Sequence, residues 1–136
     1  MVAKSIFLSV IEETELIADE IERDVNMIRI DDIVIKKNLK PPFVIKADVQ
    51  GAELIVLEGC SKILENTEVI ILEVSLFKFM KEGPDFYDVV DYMNKIGYEV
   101  YDIHLNWNRP LDKALGQVDL VFVKSKGFFK KSNKYA

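Results

Sequence analysis

Apolar and polar positions fall in blocks along the chain, and the blocks predict strands and helices in turn. Residues 43–47 form a short apolar run, and residues 68–74 form a longer run rich in β-branched side chains. Continuous runs of this length are typical of strands that are covered on both faces of a parallel sheet. We therefore predict strands at both runs, with further strands over residues 98–103 and 118–123.

Apolar residues at helical spacing separate these strands. Residues 52–64 are apolar on most sides, which predicts a helix that packs against more than one neighbour. A second apolar stripe runs from Phe86 to Met93, after the start signal Gly-Pro-Asp and before the stop signal Gly97. Strands that alternate with helices in this way predict an open α/β sheet with right-handed crossovers.

The two ends of the chain differ from this central pattern. Residues 9–23 predict an amphipathic helix and residues 26–30 a strand, so we expect residues 1–30 to be an N-terminal helix and strand segment that packs on the sheet. Residues 31–124 form the main unit. Residues 125–136 are lysine-rich and free of acids, and we expect this basic tail to be disordered.

Composition excludes several classes of protein. The formal net charge of −5 argues against a general affinity for nucleic acid, and no apolar run reaches the roughly 20 residues that a membrane-spanning helix needs. The single cysteine, Cys60, excludes an intrachain disulfide and is compatible with the cytoplasm, where we expect the protein. One histidine with one cysteine cannot form a zinc site, and the six glycines are too far apart for a phosphate loop, so we assign neither metal ligands nor a cofactor-binding motif.

Ionisable residues follow three successive predicted strands. Asp48 follows the first, Glu73 lies at the end of the second, and Asp102 and His104 end the third. Ligands of open α/β sheets bind beyond the carboxyl ends of the strands, and a carboxylate there is costly unless it is paired. Asp48 and Glu73 are therefore candidate catalytic residues. The alternative is that Asp48 caps the following helix and that Glu73 lies on the sheet surface.

Residues 104–117 are polar and predict a loop that is long enough to carry function. Four of its side chains are candidate substrate contacts: His104, Asn106, Trp107 and Arg109. They either line a lid that faces the substrate or anchor the loop. A lone histidine in a loop is more often structural or solvated than catalytic.

The stretch IKADVQGAELIVLEGC, residues 45–60, resembles the signature of the FkbM-type methyltransferases, class I enzymes that use S-adenosylmethionine. Four other pieces occur in the family's order, so the likeness covers roughly residues 28–124: MIRIDDIV, IILEVS, GYEVYDI and QVDLVFVK. The resemblance implies a partial class I methyltransferase (Rossmann-like) fold of the α/β class. Its open sheet would be mostly parallel with an antiparallel final strand, and helices would cover both faces.

The resemblance also implies O-methyl transfer to a sugar or other hydroxylated small molecule. Asp48 would face the transferred methyl group, Glu73 would flank the same pocket, and Gln50 would contact the substrate. Family members hold the cofactor with a glycine-rich loop and a later acidic residue, and neither occurs in this sequence. The chain resembles the C-terminal half of the enzyme, so we expect it to be inactive alone. We also expect the open sheet edge near residues 43–47 to be covered by residues 1–30 or by a second copy.

Two other classes of function stay open. One is a binding or assembly module without catalytic activity. The other is a magnesium-dependent phosphotransfer or hydrolytic domain that uses Asp48 and Glu73.

Overall fold

A computed structural model describes residues 6–7, 27–79 and 83–135 of the chain. The helices and strands are, in chain order, β1 (Ile6–Phe7), α1 (Ile30–Lys36), β2 (Phe43–Ala47), α2 (Glu53–Glu58), β3 (Thr67–Ser75), α3 (Phe86–Lys95), β4 (Tyr98–Asn108) and β5 (Leu115–Lys124). Short 3-10 turns lie at Leu64–Asn66 and Phe128–Lys130. The prediction of an α/β fold is confirmed.

The strands of the described residues form one mixed sheet in the order β1-β2-β3-β5-β4. β2 runs parallel to β1 and β3, whereas β5 is antiparallel to β3 and β4. Ile6 and Phe7 pair with Ile45 and Lys46, along the side of β2 that faces away from β3. β1 forms one edge of the sheet, and β4, the last strand in this order, forms the other.

One face of the sheet holds the core. Alternate apolar side chains of the central strands are almost fully buried there: Ile45, Ala47, Ile70, Leu72, Val74, Val118, Leu120 and Phe122. α3 adds Val89 and Met93 to the same core. Side chains on the opposite face, such as Ile71 and Glu73, are only half-buried, although the apolar run of β3 predicts a strand covered on both faces.

Local signals set the bounds of α3. The Asp85 carboxylate accepts hydrogen bonds from the N–H groups of Tyr87 and Asp88, and the Asp88 carboxylate accepts one from the Asp85 N–H. This capping box satisfies donors that the first helical turn leaves free. Gly97 follows the helix with φ +86°, a conformation that favours glycine. In the described part of the chain, no helix has the length or the apolar character to cross a membrane.

The predictions for the N-terminal residues fall largely outside the described residues, as does the whole helix predicted over residues 9–23. The strand predicted over residues 26–30 is wrong, because residues 27–29 are irregular and α1 begins at Ile30. Asp31 and Asp32 in the first turn favour this helix start through the helix dipole.

The helix predicted over residues 52–64 is too long, because α2 ends at Glu58. A carboxylate from another element holds the turn that follows. The buried Asp31 accepts hydrogen bonds from the backbone N–H groups of Lys62 and Ile63 at 3.1–3.2 Å. In a continued helix, these N–H groups would bond to the carbonyl groups of Glu58 and Gly59. Instead, Lys62 bonds to Asp31, and Ile63 bonds to Asp31 and to the nearer carbonyl of Cys60 at 2.9 Å. The tertiary contact therefore replaces the last helical turns.

β4 and β5 form a hairpin that is longer than predicted. β4 continues to Asn108 and β5 begins at Leu115, so the loop predicted over residues 104–117 is wrong except for the turn at 109–114. Most of β4 is exposed to water. An exposed edge strand lacks the continuous apolar run that marks a buried one, and its polar residues read as a loop.

Candidate functional site

The turn after β2 brings the first predicted carboxylate to the rim of the sheet. Gln50 and Gly51 adopt φ values of +51° and +98°. A left-handed backbone costs a residue such as Gln50 about 1–2 kcal/mol, so other contacts must hold the turn. The Gln50 side-chain amide Nε2 donates to Asp48 Oδ1 at 3.3 Å and to Glu73 Oε2 at 3.2 Å. The turn therefore joins the carboxyl ends of β2 and β3.

Glu73 lies at the centre of a larger network on the half-buried face. Asn106 Nδ2 donates to Glu73 Oε1 at 3.1 Å and to Asp119 Oδ1 at 3.0 Å. Lys46 Nζ lies 3.8 Å from Asp119 Oδ2. Strands β2 to β5 thus each contribute at least one side chain. We call the six side chains of this network the polar cluster: Lys46, Asp48, Gln50, Glu73, Asn106 and Asp119.

The polar cluster changes the acidity of its central carboxyl group. Partial burial raises the pKa of Glu73 to about 7. The neighbouring Asp48 adds to this rise, because it bonds to the protonated form of Glu73 and repels the ionised form. Asp119 repels it as well, whereas the amide of Asn106 acts in the opposite direction. A carboxyl group with this pKa can accept or donate a proton near neutral pH.

A β-bulge in β4 turns two predicted substrate residues toward the same face. The register between β4 and β5 shifts between Leu105 and Trp107, so Asn106 is the extra residue of the bulge. Asn106 and Trp107 together lie opposite the single residue Gln117 of β5. Asn106 joins the polar cluster. Trp107 Nε1 donates to the side chain of Gln117, whose amide donates to Ser75 Oγ at 3.1 Å. A second, neutral network therefore adjoins the polar cluster.

His104 and Asp102 do not end a strand as predicted, because β4 continues beyond them to Asn108. Their side chains are 64% and 58% exposed, and His104 Nε2 lies 3.3 Å from Asp102 Oδ2. His104 is opposite Asp119 in the register of β4 and β5. Its side chain nevertheless contacts Asp102, at the outer edge of the sheet. The prediction of ionisable strand ends is wrong for this third strand.

Arg109 stabilises the turn of the hairpin. Its Nε and Nη2 atoms donate to the two carboxylate oxygens of Asp112 at 2.7 and 2.5 Å, and its guanidinium lies 3.8 Å from the centre of the Phe77 ring. This bidentate contact holds the pKa of Asp112 well below its usual range. Trp107 stacks on Phe79 with the ring centres 5.5 Å apart. The contacts of Arg109 match the anchoring alternative rather than a lid.

Sequence reasoning did not identify Lys46 and Asp119. Each is a charged residue with apolar neighbours on both sides within a buried strand. A charge in such a position requires a partner, and this signal could have predicted that the two residues meet.

A cleft of about 600 Å³ opens beside the turn after β2, between α2 and α3. It is lined by Gly51, Leu54, Ile55, Lys78, Gly83, Pro84, Asp88, Asp91, Tyr92 and Lys95. None of the predicted site residues lines it. We therefore place the candidate site at the polar cluster, where titratable groups converge. Within residues 27–79 and 83–135, no group of three or more His, Cys, Asp or Glu side chains is arranged to hold a metal ion.

A family model described as a methyltransferase FkbM domain matches residues 4–100, which is more than half of the 136 residues. The match includes Asp48, Gln50 and Glu73 but ends before Asn106 and Asp119. No curated protein and no solved structure matches the chain significantly.

Proposed function

The chain belongs to the methyltransferase FkbM domain family, and on this basis we propose that it serves S-adenosylmethionine-dependent methyl transfer. The acceptor is a hydroxyl group of a sugar or other hydroxylated small molecule, and the polar cluster is the acceptor side of the site. One observation carries this proposal. Glu73, with a pKa of about 7, lies beside Asp48 at the ends of two adjacent parallel strands.

The order of the strands supports a Rossmann-like, class I arrangement. β2, β3, β5 and β4 are neighbours in this order, and β5 is antiparallel to the others. The family resemblance implies this order for the last four strands of the enzyme. In such sheets, ligands bind beyond the carboxyl ends of the parallel strands. Asp48 and Glu73 lie at this position.

The polar cluster has the groups that an acceptor hydroxyl requires. In methyl transfer, the acceptor oxygen would bond to the methyl carbon as the carbon–sulfur bond of the sulfonium breaks and leaves a neutral thioether, and a carboxylate within hydrogen-bond distance would accept the hydroxyl proton. Glu73 suits this role because its pKa lies close to neutral pH. The amides of Gln50 and Asn106 both donate to Glu73 and hold its carboxylate in place. Such fixed geometry supplies much of the rate in group transfer.

The cofactor fits this chain only in part. S-Adenosylmethionine carries its methyl group on a positively charged sulfur, which the carboxylates of Asp48, Glu73 and Asp119 would attract. The sequence contains neither the glycine-rich loop nor the ribose-binding acid of the family pattern, so its residues do not fit the rest of the cofactor. We therefore assign only the acceptor-side chemistry to these residues.

Two measurements test the proposed function. In calorimetric titration, we expect the chain alone not to bind S-adenosylmethionine, and tight one-to-one binding would contradict the assignment of the acceptor side alone. Saturation-transfer NMR with methyl glucopyranoside and glycerol is expected to detect weak binding. Loss of one hydrogen bond to a charged group should weaken this binding about tenfold in Asp48→Asn and Glu73→Gln.

Glu65→Gln is the matched control for these variants, because Glu65 is an exposed carboxylate on the 3-10 turn before β3. Binding that is equal in all three variants and the wild type would refute a role for the polar cluster. If neither probe binds the folded chain, the result would favour the alternative of a non-catalytic binding or assembly module.

A further inference from the structure

β4 is an edge strand with an exposed outer side. Tyr101, Ile103 and Leu105 are 53%, 49% and 72% exposed. Among the described residues, only β5 pairs with β4, whereas the far side of β2 already pairs with Ile6–Phe7. A long edge strand with apolar side chains tends to pair with another strand unless proline, charge or a covering segment prevents it.

The backbone of β4 is oriented for such pairing at Ile103. The N–H of Ile103 donates to the Asp102 carboxylate at 2.8 Å, so it points away from the ladder with β5. Bulges at Tyr101 and Asn106 limit the regular part of the strand to residues 102–105. In an antiparallel pair, a residue with its N–H and C=O directed outward exchanges both hydrogen bonds with the residue opposite. Ile103 can therefore pair with its own copy once the Asp102 carboxylate, which accepts from this N–H within one chain, turns to the copy's His104.

We propose that two copies of the chain pair in antiparallel fashion through β4, with Ile103 on the two-fold axis. In this register, Asp102 of each copy lies opposite His104 of the other, and Tyr101 lies opposite Leu105. Residues that face each other without backbone hydrogen bonds have Cα atoms about 4.5 Å apart. Their side chains can then form an Asp–His contact on each side of the axis, which stabilises the pair.

Complementary Asp and His side chains select this register over the neighbouring one. A shift that centres the pair on His104 would place this residue opposite its own copy and Asp102 opposite the bulged Asn106. That arrangement has no contact between an Asp and a His side chain. The register centred on Ile103 pairs residues 102–104 of the regular segment with one another and makes two contacts between Asp and His side chains.

Cross-linking tests the register directly. A residue on a two-fold axis faces itself, so Ile103→Cys is expected to form a disulfide-linked dimer under mild oxidation. The native Cys60 is buried and is not expected to compete. Leu111→Cys, at an 83% exposed position in the hairpin turn, is the control and should cross-link only at the background rate. Faster cross-linking of His104→Cys than of Ile103→Cys would overturn the proposed register.

Sedimentation equilibrium tests the Asp–His contacts. His104→Asp places carboxylates opposite each other, and we expect dimerisation to weaken by more than about tenfold. The double variant Asp102→His/His104→Asp exchanges the two side chains across the axis and is expected to restore dimerisation. A double variant that dimerises no better than His104→Asp would overturn the role of this pair.

Ile103→Pro removes the N–H on the outer side of β4, a place where an edge strand tolerates proline. We expect it to abolish the dimer while circular dichroism shows a retained fold. A wild-type chain that stays monomeric up to about 1 mM would overturn the proposal. A wild-type dimer that survives in both His104→Asp and Ile103→Pro would also overturn it and would point to another surface of the chain.

Discussion

Replacing Glu73 with glutamine is expected to stabilise the protein at alkaline pH and to lose this effect at acidic pH. Partial burial and Asp48 raise the pKa of Glu73 from 4.5 to about 7 in the folded chain. Between these two values, the folded state binds more protons than the unfolded state. The free energy of unfolding therefore falls as the pH rises through this range. Glutamine does not ionise, and its amide can still donate a hydrogen bond to Asp48.

The size of the effect follows from the shift. A change in pKa from 4.5 to about 7 corresponds at full strength to about 3 kcal/mol. Glu73 is only half-buried, and solvent screens its interactions. We therefore compare the change in the free energy of unfolding that Glu73→Gln causes at each pH. This change should be about 1–2 kcal/mol more stabilising above pH 8 than near pH 4.5.

Urea unfolding followed by circular dichroism at the two pH values measures this difference. Among the described residues, titratable groups outside the polar cluster have no contact with residue 73, so their contributions largely cancel in the comparison. The exposed Glu65→Gln serves as the control and should show a much smaller change with pH. The reasoning is refuted if Glu73→Gln changes stability equally at both pH values, or if it is less stable than the wild type only at alkaline pH.

Two further substitutions test the fold around the site. Asp31→Ala removes a buried carboxylate that accepts from the N–H groups of Lys62 and Ile63, and it should lower the free energy of unfolding by about 3–5 kcal/mol. The exposed neighbour Asp32→Ala should cost less than about 0.5 kcal/mol in the same urea titration, and equal losses would contradict this account. Gly97→Ala should cost about 1 kcal/mol and lower Tm by a few degrees, because Gly97 has φ +86° and an added Cβ has no neighbour within 4 Å. An unchanged Tm in calorimetry would argue against strain at that position.

Local patterns predicted the central elements of the fold. β2 was predicted at its observed bounds and β3 within one residue at each end, because a buried strand is a continuous apolar run between turn residues. The helix α3 was predicted because Asp85 and Gly97 are local start and stop signals. The end of α2 was not predictable in this way, since it depends on Asp31, which is distant in sequence.

The sequence predicted only the part of the candidate site that lies at the ends of the buried strands. Asp48 and Glu73 follow the two buried strands and meet through Gln50, as expected for adjacent parallel strands. Asn106 was expected in a loop, but it reaches Glu73 from a bulge in an edge strand. No local pattern marks such a bulge, because it is defined by the pairing with β5.

The sequence by itself determined the α/β class, the likeness to the FkbM-type methyltransferases and the carboxylates at the ends of β2 and β3. These features depend on residues that are close together along the chain. Only the tertiary structure decided which polar side chains meet, because Lys46, Asn106 and Asp119 come from three strands that the sheet order brings together. The same assembly raises the pKa of Glu73 to about 7, since the burial and the nearness of Asp48 that cause the shift exist only in the folded chain.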